Sequence, residues 1–77
     1  MNKTRRTSIA KAVGMLEEAK GLLETANEEE QEGYDNLSES LQNGSRGEAM
    51  QAACEALSSA VESVDEALSS CEEATGE

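Results

Sequence analysis

Few side chains in this chain are suited to chemistry. Cys54 and Cys71 are the thiols, Arg5, Arg6 and Arg46 the guanidinium groups, and carboxylates crowd one stretch: Glu28, Glu29, Glu30 and Glu32, continued by Asp35 and Glu39. A thiol becomes a nucleophile when a base or a positive environment favours the thiolate. There is no His, and no nucleophile–base pair is apparent. The cysteines fall instead on an apolar helical stripe, where a Cys is a small hydrophobe. Zinc requires a cluster of Cys and His that this chain does not offer. A disulfide between Cys54 and Cys71 within that helix is also excluded, because seventeen helical positions rise about 25 Å, against the roughly 4.4–6.8 Å between Cα atoms that a disulfide tolerates. The expectation is a protein without enzymatic activity, cofactor or metal, in a reducing cytoplasm.

The charged residues leave two ways to bind something. In the first, the cluster Glu28, Glu29, Glu30, Glu32, Asp35 and Glu39 forms a negative ridge at helical spacing that docks on the basic surface of another protein, such as a nucleic-acid groove. In the second, Arg46, Arg5 and Arg6 hold the phosphates of an anionic signal between subunits. Each has a plainer counterpart. The acids can be a solvated face that keeps a small protein soluble, and Arg46 can pair internally with Asp35 or Glu39. Direct binding of nucleic acid is not expected from a chain of net charge −11, with four cations at one tip and no aromatic platform beside them.

These groups must be positioned by helices. The chain has no Pro, a single aromatic residue, Tyr34, and is rich in Ala, Glu, Leu and Ser. In the first half, Ile9, Ala12, Leu16, Ala19, Leu23 and Ala26 recur at steps of three and four, flanked by Val13, Met15 and Leu22. In the second, Met50, Ala53, Leu57, Ala60, Val64, Ala67 and Cys71 repeat the rhythm, and Cys54, Val61 and Leu68 add a third apolar position to each heptad. Three apolar positions per heptad suit a helix with two neighbours. The reading is therefore all-α: one domain, 1–77, an antiparallel two-helix hairpin with helix 1 over about 4–34, a connector 35–45 and helix 2 over about 46–73. Alternating small and large residues allow close helix approach, so the hairpin is expected to pair with a second copy as a four-helix bundle, with Leu16, Leu23, Leu57, Val61, Val64 and Leu68 in its core. A loosely packed monomeric hairpin and a disordered acidic chain are the alternatives.

Local signals fill in the ends. Asn2 or Thr4 can cap helix 1, and "SRGE", Ser45 to Glu48, fits a capping box at the start of helix 2. Gly14 and Gly21 interrupt helix 1; either packing tolerates them, or one of them admits another backbone. Within the connector, Leu37 and Leu41 stand four apart between "DN" and "NG", the pattern of a short capped turn folding back near Tyr34. Helix 1 is basic at its start and acidic at its end, against its own macrodipole. An antiparallel hairpin would set that basic start beside Glu72, Glu73 and Glu77. No run is apolar and long enough for a membrane span or a signal peptide, so a mature, soluble protein is expected.

Taken together, "MNKTRR" and "EEEQEGYDNLSESLQNGSRGEAM" resemble a group of small acidic helical proteins of bacteriophages and mobile elements of gut-type bacteria, most of them hypothetical. The connector is similar to a DNLPESLQ-then-RGE pattern, with Ser38 where that pattern has Pro and Tyr34 at an aromatic position. The resemblance spans most of the chain and implies a source, the cytoplasm of a bacterial host cell, and a length class, with no established activity. The functional expectation is an interaction protein, a homo-oligomeric hairpin that docks on and inhibits a host defence or nucleic-acid-binding protein. Sequestration of an anionic nucleotide and a structural or assembly oligomer are the competing expectations.

Overall fold

The computed structural model describes residues 1–76, and it consists of helices: α1 (Lys3–Asp35), α2 (Glu39–Gln42) and α3 (Ser45–Thr75). The two long helices pack against each other as a hairpin, and α2 packs on the start of α3. The result is a rod of 58 × 15 × 14 Å. Its radius of gyration is 17.4 Å, against about 11 Å for a compact chain of this length.

A polar ladder fixes the antiparallel register. Lys20 Nζ pairs with Asp65 Oδ1 at 2.7 Å, Asn27 Nδ2 donates to Ser58 Oγ at 3.1 Å, and Gln51 Nε2 donates to Tyr34 Oη at 3.0 Å. On α1 the rungs advance by seven residues, and on α3 they retreat by seven. Two turns of an α-helix take 7.2 residues, so a heptad ladder stays on one edge of the pair.

The side of α3 facing α1 is the one its stripe predicts. Met50, Ala53, Cys54, Leu57, Ala60, Val61, Val64, Ala67, Leu68 and Cys71 are all half-buried. On α1 the expectation needs correction. Ile9, Leu16, Ala19 and Leu23 of the expected stripe are half-buried, but they are joined by Val13, Lys20, Asn27, Glu30 and Tyr34, whereas Ala12 and Ala26 are exposed and Met15 and Leu22 keep 63% and 67% of their surface in water. The cause is that α1 carries two overlapping three-four series. The hairpin uses the one whose polar members, Lys20 and Asn27, find partners on α3.

None of the described apolar side chains is buried, and Gly47 is the one buried residue among those described. Leu16, Leu23, Leu57, Val61, Val64 and Leu68 lie between the helices but remain half-wet. A single hairpin thus has a seam rather than an enclosed core.

The helix ends follow from local chemistry. Asn2 caps α1, its Oδ1 accepting from the Arg5 amide at 2.8 Å. The capping box assigned to Ser45 is not formed: Gly44 occupies the N-cap, its carbonyl accepts from the Glu48 amide at 3.0 Å, and no side chain caps the helix. Gly47 explains the shift. A Cβ there would lie 2.6 Å from Gln42 Cα, so the connector crosses directly over Gly47 and α3 must begin early enough to place it there. At Gly14 and Gly21 a Cβ would meet nothing within 4 Å, so neither glycine serves a close approach within the chain.

The connector forms the expected short helical turn, α2, but only one of its two leucines folds inward. Leu37 is half-buried, but Leu41 stays 47% exposed. Gln42 does the joining instead, its Nε2 donating at 3.0 Å to the Tyr34 carbonyl, which also accepts from the Leu37 amide at 3.0 Å. The Ser38 side chain, at the N-cap of α2, makes no capping bond.

Candidate interaction surfaces

The acidic cluster does not form one line. Successive residues on a helix turn by about 100°, so Glu28, Glu32 and Asp35, at steps of four and three, share the outward face of α1. All three are exposed, and Asp35 Oδ1 accepts from Gln31 Nε2 at 3.1 Å. Glu29 is exposed on a neighbouring face, next to Leu22 and Ala26, and Glu30 turns toward the seam and is half-buried. Glu39 stands apart on α2, exposed in its first turn. The ridge is therefore Glu28, Glu32 and Asp35.

The three arginines are not brought together in one chain. Arg5 and Arg6 lie in the first turn of α1, and Arg46 lies at the opposite end of the rod, in the first turn of α3. Arg46 is exposed, and no hydrogen bond or ion pair joins it to Asp35 or Glu39. Its position explains this: it stands seven residues before Ala53 and so follows the alanine edge of α3, away from the polar ladder.

Arg6 resolves the charge layout of α1. Its Nη1 donates to the Thr75 carbonyl at 2.8 Å, placing a cation on the C-terminal carbonyls of α3. A charge that opposes the dipole of its own helix complements the dipole of its antiparallel neighbour. Glu77, which the sequence also sets here, lies outside the described residues.

The polar edge was not apparent from apolar spacing. It is made by Lys20, Asn27 and Tyr34 with Asp65, Ser58 and Gln51. The signal available in advance is their own heptad spacing, 20, 27, 34 against 51, 58, 65. The hydrogen bond and charge of Asp65 raise the Lys20 pKa above the ordinary lysine value, with smaller contributions from Glu24 and Glu17. Open grooves flank the rungs, one lined by Glu24, Asn27, Glu28, Ser58, Val61 and Glu62, the next by Val13, Glu17, Asp65, Leu68, Ser69 and Glu72. Their carboxylates make them poor receptors for an anion.

Cys54 and Cys71 are free thiols, half-buried along the seam. No group of three or more His, Cys, Asp or Glu among the described residues could hold a metal ion. No helix among them is long and apolar enough to cross a membrane. No protein-family model, curated protein or solved structure matches the chain.

Proposed function

We propose that this chain is a non-enzymatic interaction protein that self-associates and presents the outward carboxylates of α1 to a basic host protein, one that defends the cell or binds nucleic acid. The observation that carries the reading is the division of charge on α1. Lys20 is taken up by Asp65 at the polar edge, while Glu28, Glu32 and Asp35 face outward with no cation bound to them. A chain of net charge −11 that keeps three carboxylates aligned on one exposed face has the field to steer and hold a basic surface. We take the source to be a phage or mobile element, which makes a host protein the target, and inhibition follows if the ridge occupies the surface that nucleic acid would use.

The test is affinity capture from a bacterial lysate with the native protein, with a Glu28→Gln, Glu32→Gln, Asp35→Asn variant, and with Glu30→Gln as control. The captured protein is then titrated in purified form at several salt concentrations. Binding that the triple variant loses, the control keeps and salt weakens supports the ridge. Equal binding by all three proteins, or none by any, overturns it.

A further inference from the structure

We infer that a second copy of this chain covers the apolar face of the hairpin opposite the polar ladder, with the two α1 helices antiparallel across a two-fold axis level with Glu17. The inference rests on the self-association proposed above and names its surface and orientation.

The two edges of the hairpin differ in kind. On α3, Gln51, Ser58, Asp65 and Glu72 line the polar edge, and two residues later, about 200° around the helix, stand Ala53, Ala60, Ala67 and Ala74. On α1, Glu17 and Glu24 give way in the same manner to Ala19 and Ala26. Beyond that alanine edge α1 turns Met15 and Leu22 outward, the two most exposed large apolar side chains among the described residues. Ala12, Met15, Ala19, Leu22 and Ala26 make a complete three-four series, the repeat of a helix-packing stripe. From 49 to 74 the adjoining series on α3 holds only Ala and Ser. No charge interrupts either stretch, in a chain that is 30% charged.

The distribution of polar residues runs opposite to what a monomer needs. The side of α1 that faces α3 contains Lys20, Asn27 and Glu30, and the side facing water contains Met15 and Leu22. Leaving those side chains wet while the side toward α3 holds polar groups, among them the buried, unpaired Oδ1 of Asn27, is unfavourable unless something else covers them. The area agrees. The chain exposes 5545 Å². A compact chain of this mass exposes about 4,500 Å². The surplus of about 1,000 Å² is close to the roughly 800 Å² per partner of an ordinary stable interface.

Geometry and charge select a second copy and its direction. In an antiparallel helix pair about Glu17, Met15 meets Ala19 of the other copy and Ala12 meets Leu22, large against small at each layer. The same operation sets Arg5 opposite Glu29, the two charged residues at the ends of this stripe. A two-fold interface must be self-complementary, and this stripe is so in size and in charge. At about 100° per residue, Glu28, Glu32 and Asp35 stand on the far side of α1 from this stripe, so the ridge stays uncovered and free to act.

The test is sedimentation equilibrium over a wide concentration range, with helix content followed by circular dichroism, on five proteins. They are the native chain, Met15→Gln with Leu22→Gln, Arg5→Glu, Glu29→Arg, and the last two substitutions combined. The native chain should be a dimer and the Met15/Leu22 variant a monomer. Each single charge reversal should weaken the dimer by roughly fivefold and the double reversal should restore it. Should the Met15/Leu22 variant unfold, the reversals, which leave every apolar contact in place, still decide. A native chain that is monomeric throughout overturns self-association and this face together. A native dimer that survives Met15→Gln with Leu22→Gln overturns the face and leaves self-association standing, and a double reversal no better than the singles overturns the antiparallel pairing.

Discussion

Gly47 lies directly beneath the backbone of Gln42, so that a side chain at Gly47 would have to occupy space that the connector already fills. The contact is between main-chain atoms, which cannot rotate aside as a side chain can. It ties the start of α3 to the end of α2 and makes Gly47 the one buried residue among those described. Gly47→Ala should therefore destabilise the protein by about 2 kcal/mol or more, measured by chemical denaturation. A change within about 0.5 kcal/mol would mean that the connector moves freely.

Gly14 and Gly21 should behave in the opposite way. Both sit within α1, and a methyl group at either meets nothing within 4 Å. Gly→Ala at each position should stabilise by about 0.5–1 kcal/mol through helix propensity alone. Thermal melts of the two single variants and the double variant should show additive gains. Loss of stability at either would place another backbone against that face.

Asn27 should limit stability while fixing alignment. Its Nδ2 donates to Ser58, but its Oδ1 is buried without a partner. A polar residue at one seam position specifies helix register at a cost in stability. Asn27→Leu should raise stability by about 1 kcal/mol, and the variant should populate more than one assembly state by sedimentation velocity. Lower stability would show that the bond to Ser58 outweighs the unpaired oxygen.

The pair Lys20–Asp65 sets a pH dependence with a definite sign. Asp65 raises the Lys20 pKa, so the folded state holds this proton more tightly than the unfolded chain does. The stabilisation is complete below the ordinary lysine pKa, about 10.4, and is lost as pH climbs through the higher folded value. With 32% of the Lys20 side chain and 49% of the Asp65 side chain in contact with solvent, the effect should be small and reduced by salt. Melting temperature should fall more steeply above about pH 10 in the native protein than in Asp65→Asn. Parallel curves would assign the alkaline loss to other groups.

The parts of the fold that the sequence made legible are those in which one signal had no rival. α3 presents a single apolar stripe, and its half-buried residues match it. α1 presents two, and apolarity could not choose between Ala12 with Ala26 and Val13 with Lys20 and Asn27, because the choice depends on partners that α3 supplies. The capping pattern at Ser45 failed for a related reason. Its local bonds were weighed without the crossing at Gly47, a contact with a residue outside the helix. Among the candidate binding residues, Glu28, Glu32 and Asp35 do share a face, as helical spacing requires, while Glu30 was drawn into the seam. Arg46 was expected to reach for an acid, but helical phase aims it along the alanine edge.

The heptad ladder also orders events in time. Gln51 is seventeen residues from Tyr34, Ser58 thirty-one from Asn27, and Thr75 sixty-nine from Arg6. Each rung closes a larger loop than the one before, and each doubling of loop length adds about 0.6 kcal/mol of entropy cost. Pairing of the helices thus begins beside the connector and travels toward Arg6, like a zip drawn from its closed end. Opening runs the other way. Amide exchange should be fastest where α1 starts and α3 ends and slowest near Tyr34 and Gln51, so the end that holds the cations is the last to form and the first to come apart.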